Sequence, residues 1–167
     1  ENKGWDYAKF LLGNERTGIA RVGVSKERLR RIRELAGKVE SGGKPIIQDA
    51  AFREKLAACE IELKALELTQ LRVVADEGKH GKGKPNPASS VLKIKGSEIQ
   101  QTTTELLMEV IGPFAAPYDV HGDDGSNEAM EWTAQIAPSY FNNRKVSIYG
   151  GSNEIQRNII TKAVLGL

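Results

Sequence analysis

The chain has 167 residues, and its 24 Lys and Arg against 22 Asp and Glu lack the basic excess expected of a nucleic-acid-binding surface. The single cysteine, Cys59, excludes an intramolecular disulfide and fits a reducing, cytoplasmic location. The sequence contains neither a run of about 18 apolar residues, as a membrane-spanning helix needs, nor a His/Cys cluster for zinc, so we expect no membrane span and no metal.

The first long helix is predicted to begin near Asn14 and to end near Ala36. Asn14 is a suitable N-cap, and the acid Glu15 favours the first turn of a helix. Apolar side chains at helical spacing predict a buried stripe of Ile19, Val22, Leu29, Ile32 and Leu35. The many basic residues of this helix predict a solvated face, and a patch for an acidic partner is the alternative.

The second helix is the most strongly patterned, and we predict it from Asp49 to about Glu77, after a glycine-rich loop over 37–45. Apolar residues spaced by four and three predict a heptad-like seam of Phe52, Leu56, Cys59, Leu63, Leu66 and Val73. Three further apolar residues lie outside the seam: Ile61, Leu68 and Leu71. A helix that is apolar on more than one face is expected inside a bundle.

A third long helix is predicted from Pro87 to about Phe114, after a basic loop over 78–86. Its β-branched run Thr102-Thr103-Thr104 lowers the helix propensity, so packing must stabilise this helix.

An acidic, turn-rich loop is predicted over 118–127. It lacks the ligand spacing and the closing Glu of an EF-hand, so we predict a turn and no calcium site. A short helix is expected from about Glu128 to Ile136, ended by Pro138, and another from Tyr140 to Ile148.

The C-terminal stretch over 149–158 reads Tyr-Gly-Gly-Ser-Asn-Glu-Ile-Gln-Arg-Asn and predicts a Gly-Gly turn that opens an amphipathic helix. Ser152 is a good N-cap, and Glu154 lies in the first turn. The expected apolar face consists of Ile155, Ile159, Ile160, Ala163 and Val164. The start of such a helix suits an anion such as phosphate, and an ordinary capped loop is the alternative. With three long helices before it, the predicted fold is all-α, an up-and-down four-helix bundle.

The stretch from Tyr149 to Leu167 resembles the C-terminal signature of the acyl-CoA dehydrogenase family, and Asn14-Glu15-Arg16 is similar to a segment of some members. The resemblance implies that residues 1–167 form the C-terminal helical domain of a longer protein, without the N-terminal helical and middle β domains. It also implies an FAD enzyme that converts an acyl-CoA thioester to a trans-2-enoyl-CoA.

The resemblance also predicts a catalytic base. Many members have a glutamate directly after the tyrosine of the C-terminal loop, where this chain has Gly150. A minority, similar to isovaleryl-CoA dehydrogenase, take the base from a Glu-Arg pair at the start of this domain. We therefore expect Glu15 to be the base, with Asn14, Arg16 and Gly150 along the substrate path. The alternative is that Glu15 only stabilises a helix N-terminus.

The same resemblance implies that Tyr149, Gly151, Ser152 and Glu154 lie beside the flavin. Gln48 matches a glutamine that reaches the flavin of a partner subunit, although the Arg-x-x-Phe-Gly segment that commonly precedes it is absent. The implied partners are an electron-transferring flavoprotein and further subunits in a homodimer or homotetramer, with a hetero-oligomer as the alternative. Two other functions stay open: a non-catalytic assembly subunit, and a flavin monooxygenase or oxidase.

Overall fold

The computed structural model describes residues 2–15, 18–80, 87–115 and 133–167, and within them all side chains except those of 9, 10, 12–15 and 77–80. The α-helices are α1 (Gly4–Glu15), α2 (Val22–Ala36), α3 (Ala50–His80), α4 (Pro87–Ile111), α5 (Ile136–Asn143) and α6 (Asn153–Ile160). Short 3-10 helices cover Gly18–Ala20, Ile46–Gln48, Gly112–Ala115 and Arg144–Ser147, and a π-helical turn covers Thr161–Leu165. The predicted all-α bundle is confirmed.

Helix α4 is the centre of the bundle, because α2, α3, α5 and α6 all pack against it. Its buried face includes Leu92, Ile99 and Leu106, but also Thr103 and Thr104. The hydroxyl groups of these two threonines donate to the carbonyls of Gln100 and Gln101. Thr103 and Thr104 are thus packed inside the bundle with their hydroxyl groups hydrogen-bonded, and Thr102 is partly buried.

Ion pairs between helices fix the directions of the first three long helices. Lys26 pairs with Glu67, and Arg33 pairs with Glu60, so α2 and α3 are antiparallel. Lys55–Glu109 at 2.9 Å and Lys95–Glu62 at 3.4 Å make α3 and α4 antiparallel as well. These pairs are exposed and add little stability, so their value here is to report the register.

The predicted seam of α3 is confirmed: Phe52, Leu56, Cys59, Leu63, Leu66 and Val73 are all buried. Asp49 caps this helix, and its Oδ1 accepts the backbone N–H of Phe52 at 2.8 Å. The expectation that α3 lies inside the bundle is wrong for this chain, since Ile61, Leu68 and Leu71 are exposed. The central place belongs to α4, and no described element covers the outer face of α3.

The predicted start of the first helix is wrong. Asn14 and Glu15 end α1 instead of opening a helix, and α2 begins at Val22. Arg21, directly before α2, has a left-handed φ of 46°, which does not continue a right-handed helix. The backbone approaches α4 closely at the same place, because a Cβ added at Gly96 of α4 would lie 2.7 Å from the Cα of Ala20. The predicted stripe otherwise holds, with Val22, Leu29 and Ile32 buried and Ile19 and Leu35 partly buried.

Within the predicted loop over 37–45, two short strands form an antiparallel hairpin, β1 (Glu40–Ser41) and β2 (Lys44–Pro45). Gly42 and Gly43 join them with φ angles of 60° and 78°, which suit a two-residue turn of this kind. Strands of two residues carry no periodicity that a sequence could reveal.

The predicted break at Pro138 is wrong, because Pro138 lies in the first turn of α5, where a proline needs no hydrogen-bonded N–H. The helix predicted over 140–148 corresponds to the second half of α5 and to the 3-10 helix Arg144–Ser147 that follows it. The acidic loop over 118–127 and most of the helix predicted over 128–136 lie outside the described residues.

The expected apolar face of α6 is not buried in this chain. Ile155 is 52% exposed and Val164 is 64% exposed, whereas the buried residues of α6 are the polar Asn153 and Gln156. None of the helices that the structure describes is long and apolar enough to cross a membrane.

The Cys59 thiol is buried between helices, and burial raises its pKa to about 11. We expect iodoacetamide at pH 8 to leave native Cys59 unmodified and to modify it fully in urea, because the thiolate is the reactive form. An unfolded thiol ionises near a pKa of about 8.5. The contribution of Cys59 to the free energy of unfolding should therefore fall as the pH rises from about 8.5 toward 11. Rapid labelling of the native chain would contradict this.

Candidate functional site

The loop over 149–152 joins the 3-10 helix Arg144–Ser147 to α6, and its conformation requires glycine twice. Gly150 and Gly151 have φ angles of 67° and 85°, in the left-handed region. A Cβ at Gly150 would lie 2.7 Å from Cδ1 of Ile19, and one at Gly151 would lie 2.7 Å from Nε2 of Gln156. The predicted Gly-Gly turn is confirmed.

Ser152 is the N-cap of α6, as predicted. Its Oγ accepts the N–H of Ile155 at 3.4 Å, and its carbonyl accepts the N–H of Gln156 at 3.0 Å. The N–H groups of Asn153 and Glu154 belong to the first turn, which has no intrahelical acceptors.

An acid already occupies this helix start. The pKa of the exposed Glu154 carboxyl is lowered, mainly by its own backbone N–H and then by the Ser152 hydroxyl. Arg157 lies 3.7 Å from this carboxylate. An ionised carboxylate at this position suits the donor groups of a ligand better than it suits a second anion.

A buried lysine ties both ends of the loop to α4. Nζ of Lys93 donates to the carbonyl of Ser147 at 3.0 Å, before the loop, and to Oδ1 of Asn153 at 2.7 Å, after it. The side-chain amide of Asn153 donates to Oγ of Ser97 at 3.0 Å, and the Ser97 hydroxyl donates to the carbonyl of Ile94 at 2.7 Å. We call Lys93, Ser97 and Asn153 the loop clamp.

The clamp places a cation in the protein interior, since Lys93 is only 3% exposed. Burial lowers the pKa of its ammonium group, and the carboxylate of Glu154 opposes that shift. The hydrogen bonds to two oxygen acceptors offset part of the cost of burying this charge.

Sequence reasoning missed Lys93 and Ser97. Polar residues on a helix are ordinarily assigned to the solvent side, and neither residue belongs to a recognised motif. The signal that was present is a polar row, Lys93, Ser97, Gln100 and Thr104, whose spacing of three to four keeps it on one face. On a central helix such a row is buried and hydrogen-bonded.

Five of the predicted site residues are neighbours along the chain: Tyr149, Gly150, Gly151 and Ser152 form the loop, and Glu154 lies in the first turn of α6. The backbone of Asn14 and Glu15 ends α1, four residues or so before Ile19, whose side chain meets Gly150. The side chains of Asn14 and Glu15, and all of Arg16, lie outside what the structure describes. Their predicted roles stay predictions.

Gln48 is exposed at the opposite end of the bundle. It precedes α3 near the level of the Lys55–Glu109 pair, whereas the clamp lies at Lys93. Glu109 and Lys93 mark these two positions on α4, and at a rise of 1.5 Å per residue they are about 24 Å apart along the helix. Gln48 and the loop therefore do not form one site within a single chain, and the prediction that Gln48 serves a partner subunit stays untested.

Replacing Gly150 by Ala should cost about 1–2 kcal/mol of unfolding free energy, because a Cβ disfavours the left-handed backbone. Gly42→Ala is the matched control: its φ is 60°, but a Cβ there would contact nothing within 4 Å. Urea unfolding of both variants should show the larger loss at Gly150, where the Cβ also meets Ile19. Equal stability of Gly150→Ala and the unmodified chain would contradict the described loop.

The chain is similar to known proteins over nearly its whole length. The family model described as "Acyl-CoA dehydrogenase, C-terminal domain" matches residues 2–165. Acyl-CoA dehydrogenase IpdE1 of Mycobacterium tuberculosis is 33% identical over 167 residues, which cover 98% of this chain and 38% of that protein. Acyl-CoA dehydrogenase FadE26 of the same organism is 28% identical over 172 residues, covering 100% of this chain and 41% of the relative.

Among solved structures, the ChsE4-ChsE5 complex from Mycobacterium tuberculosis is similar with a TM-score of 0.75 and 26% identity. The match covers 100% of this chain and 42% of the matched one. The chain thus spans about two fifths of the length of the relatives it matches.

Proposed function

Because this chain belongs to the acyl-CoA dehydrogenase family, as its C-terminal domain, we propose that it forms part of an FAD-dependent enzyme that dehydrogenates acyl-CoA thioesters. The observation that carries this proposal is the clamped Tyr-Gly-Gly-Ser loop at 149–152, which keeps the family signature in a fixed conformation. The term "complete enzyme" is used below for this chain together with the N-terminal helical domain and the middle β domain that the resemblance predicts. The isolated chain is expected to be inactive.

The proposed reaction removes a proton from the α-carbon and a hydride from the β-carbon of the acyl group, and leaves a trans-2-enoyl-CoA. Bound FAD supplies the hydride acceptor. The protein must supply a base within hydrogen-bond reach of the α-carbon, and a carboxylate in a dry pocket has the raised pKa that this task needs.

Glu15 is the proposed base, and Gly150 has no side chain to serve instead. The support is that the chain reaches Ile19 within four residues of Glu15, and Ile19 packs against Gly150. The end of α1 is thus only four residues from Ile19, the residue that contacts the loop. Asn14 and Arg16, which flank Glu15, are proposed to contact the acyl-CoA.

The loop residues fit the flavin in three respects. The missing side chains at Gly150 and Gly151 allow a planar group to approach the backbone. Tyr149 is exposed, and Ser152 and Glu154 offer acceptors and first-turn N–H groups. We propose Tyr149, Gly151, Ser152 and Glu154 for one flavin, with Gly150 facing the substrate. Gln48, at the other end of the bundle, is proposed for the flavin of a partner subunit.

Subunit assembly is part of the proposal, as a homodimer or homotetramer or with a second type of subunit. Its support is the exposed apolar surface, on α3 at Ile61, Leu68, Leu71 and Val74 and on α6 and its end at Ile155, Val164, Leu165 and Leu167. Such areas in soluble proteins commonly mark interfaces. The similar ChsE4-ChsE5 structure was solved as a complex.

An electron-transferring flavoprotein is the proposed electron acceptor. The single thiol, which is buried, supports a cytoplasmic location.

A non-catalytic assembly subunit is the second candidate, favoured by the absence of an acid at Gly150 and by the large exposed apolar area. The two candidates differ in flavin content and in turnover without a second type of subunit. A flavin oxidase or monooxygenase on the same scaffold would instead produce peroxide or an oxygenated product.

The test is to purify the complete enzyme, measure FAD per subunit, and assay acyl-CoA esters with an artificial electron acceptor. The proposal predicts about one FAD per subunit and a product two mass units lighter than the substrate, the trans-2-enoyl-CoA. Absence of flavin would favour the assembly subunit. Peroxide formed without the acceptor would favour an oxidase.

A further inference from the structure

Helix α2 carries a guanidinium nitrogen that is buried without a hydrogen-bond partner. Nη1 of Arg28 is closed off from solvent, and no acceptor contacts it in the described part of the chain. A buried, unpaired charged donor is costly, so native proteins rarely keep one without a use. Three other cations of the same helix do pair with carboxylates: Lys26 with Glu67, Arg30 with Glu27 and Glu34, and Arg33 with Glu60. Arg31 points to solvent instead.

Arg28 lies beside the loop over 149–152. Burial lowers the pKa of its guanidinium, Arg21 lowers this pKa further, and Tyr149 is the opposing influence. Arg21 and Arg28 are two helical turns apart, so they share a face. The loop reaches this region independently, because Gly150 packs against Ile19, two residues before Arg21. The Arg28 guanidinium is therefore close enough to both Arg21 and Tyr149 to interact with their charges.

Two local features support a binding role for this face. Arg21 has the left-handed angles φ 46° and ψ 41°, which are costly for a residue with a side chain and are frequent at ligand sites. The hydroxyl of Ser25, one turn before Arg28, is fully buried and also has no hydrogen-bond partner among the described residues. Unsatisfied donors next to paired cations indicate an anion that this part of the chain does not contain.

We propose that Arg28, with Arg21 beside it, binds a carboxylate at the far end of the acyl group. The inference rests on the proposed function, because that function places the acyl group beside Gly150, which follows Tyr149 in the chain. A carboxylate matches a guanidinium with two parallel hydrogen bonds. The phosphates of coenzyme A are the other anions of the substrate, but the pantetheine arm separates them from the thioester. The expected substrates are therefore acyl-CoA esters with an acidic end.

The experiment uses the complete enzyme and pairs of acyl-CoA esters of equal length, one ending in a carboxylate and one in a methyl group, over a series of chain lengths. Equilibrium binding is measured by calorimetry, and turnover by flavin reduction. At the best length, the carboxylate ester should bind about 10- to 100-fold more tightly than its neutral counterpart. Arg28→Met should remove this preference and leave the neutral ester unchanged. Arg31→Met, at an exposed position of the same helix, should leave both unchanged.

The inference fails if the unmodified enzyme binds neutral esters equally well at every length. It also fails if Arg28→Met weakens both esters alike, which would indicate a contact with the coenzyme A phosphates. Lower stability of Arg28→Met with an intact preference would show that a carboxylate of the protein itself pairs with Arg28. If no ester reduces the flavin but the Arg28-dependent binding preference is present, the proposed dehydrogenation fails and the carboxylate site stands.

Discussion

Glu15→Gln in the complete enzyme should lower the rate of flavin reduction by its best acyl-CoA ester by roughly 10²–10⁴-fold, the usual contribution of a general base. Glutamine keeps the shape of the side chain but cannot accept the α-proton. Flavin content and the Kd of the ester should change little, because the substitution removes the base and leaves the binding surfaces intact. Stopped-flow absorbance under anaerobic conditions measures the rate directly.

One control variant and the absence of an acid at position 150 make this result specific to Glu15. Glu34→Gln removes an exposed acid of α2 that has no proposed role in the site, and we expect this variant to reduce the flavin at close to the unmodified rate. Gly150 has no side chain, so no second acid in the loop over 149–152 can substitute for Glu15. Full turnover by Glu15→Gln would remove Glu15 as the base and would mean that another group of the complete enzyme accepts the α-proton.

Lys93→Met should lower the unfolding free energy by about 2–4 kcal/mol, because it removes two hydrogen bonds from a charged donor and leaves buried acceptors unpaired. The loop over 149–152 would lose its attachment at both ends, so the complete enzyme should also retain less FAD. Urea unfolding and the flavin-to-protein absorbance ratio measure the two effects. Lys95→Met is the control, since Lys95 forms only exposed ion pairs and should cost less than about 1 kcal/mol.

The pH dependence of stability gives a further signature of Lys93. Burial lowers its pKa in the folded state, so the folded chain holds fewer protons than the unfolded chain between the two pKa values. The contribution of Lys93 to the unfolding free energy should therefore rise with pH across that window. The Met variant should lack this component of the slope. A stable Lys93→Met chain with full FAD retention would contradict the role of the clamp.

The seam of α3 could be predicted because one long helix carries one apolar pattern, and local spacing alone assigns Phe52 through Val73 to the buried side. The division between α1 and α2 could not. It coincides with the left-handed Arg21 and with the contact of Ala20 with Gly96, a residue far away in the sequence, and an apolar pattern contains no record of either feature.

The candidate site was predictable in part for the same reason. Gly150 and Gly151 identify a left-handed turn, and Ser152 identifies the helix start, because both are local backbone requirements. The clamp was not predictable from apolar patterning, which assigns a lysine such as Lys93 to solvent. Its burial follows from the central place of α4, and that place is a property of the whole bundle.

The apolar face predicted for α6 shows a third limit. Ile155 and Val164 do follow a helical period, but the described residues do not cover them. An apolar pattern shows that a face needs a partner, and it does not show whether that partner belongs to the same chain.

The most direct test of the account is to mix the complete enzyme anaerobically with a panel of acyl-CoA esters and to follow the absorbance of oxidised flavin. The account predicts rapid loss of this absorbance with one class of ester and release of the trans-2-enoyl-CoA. Stoichiometric FAD that no ester in the panel reduces would contradict the proposed dehydrogenation.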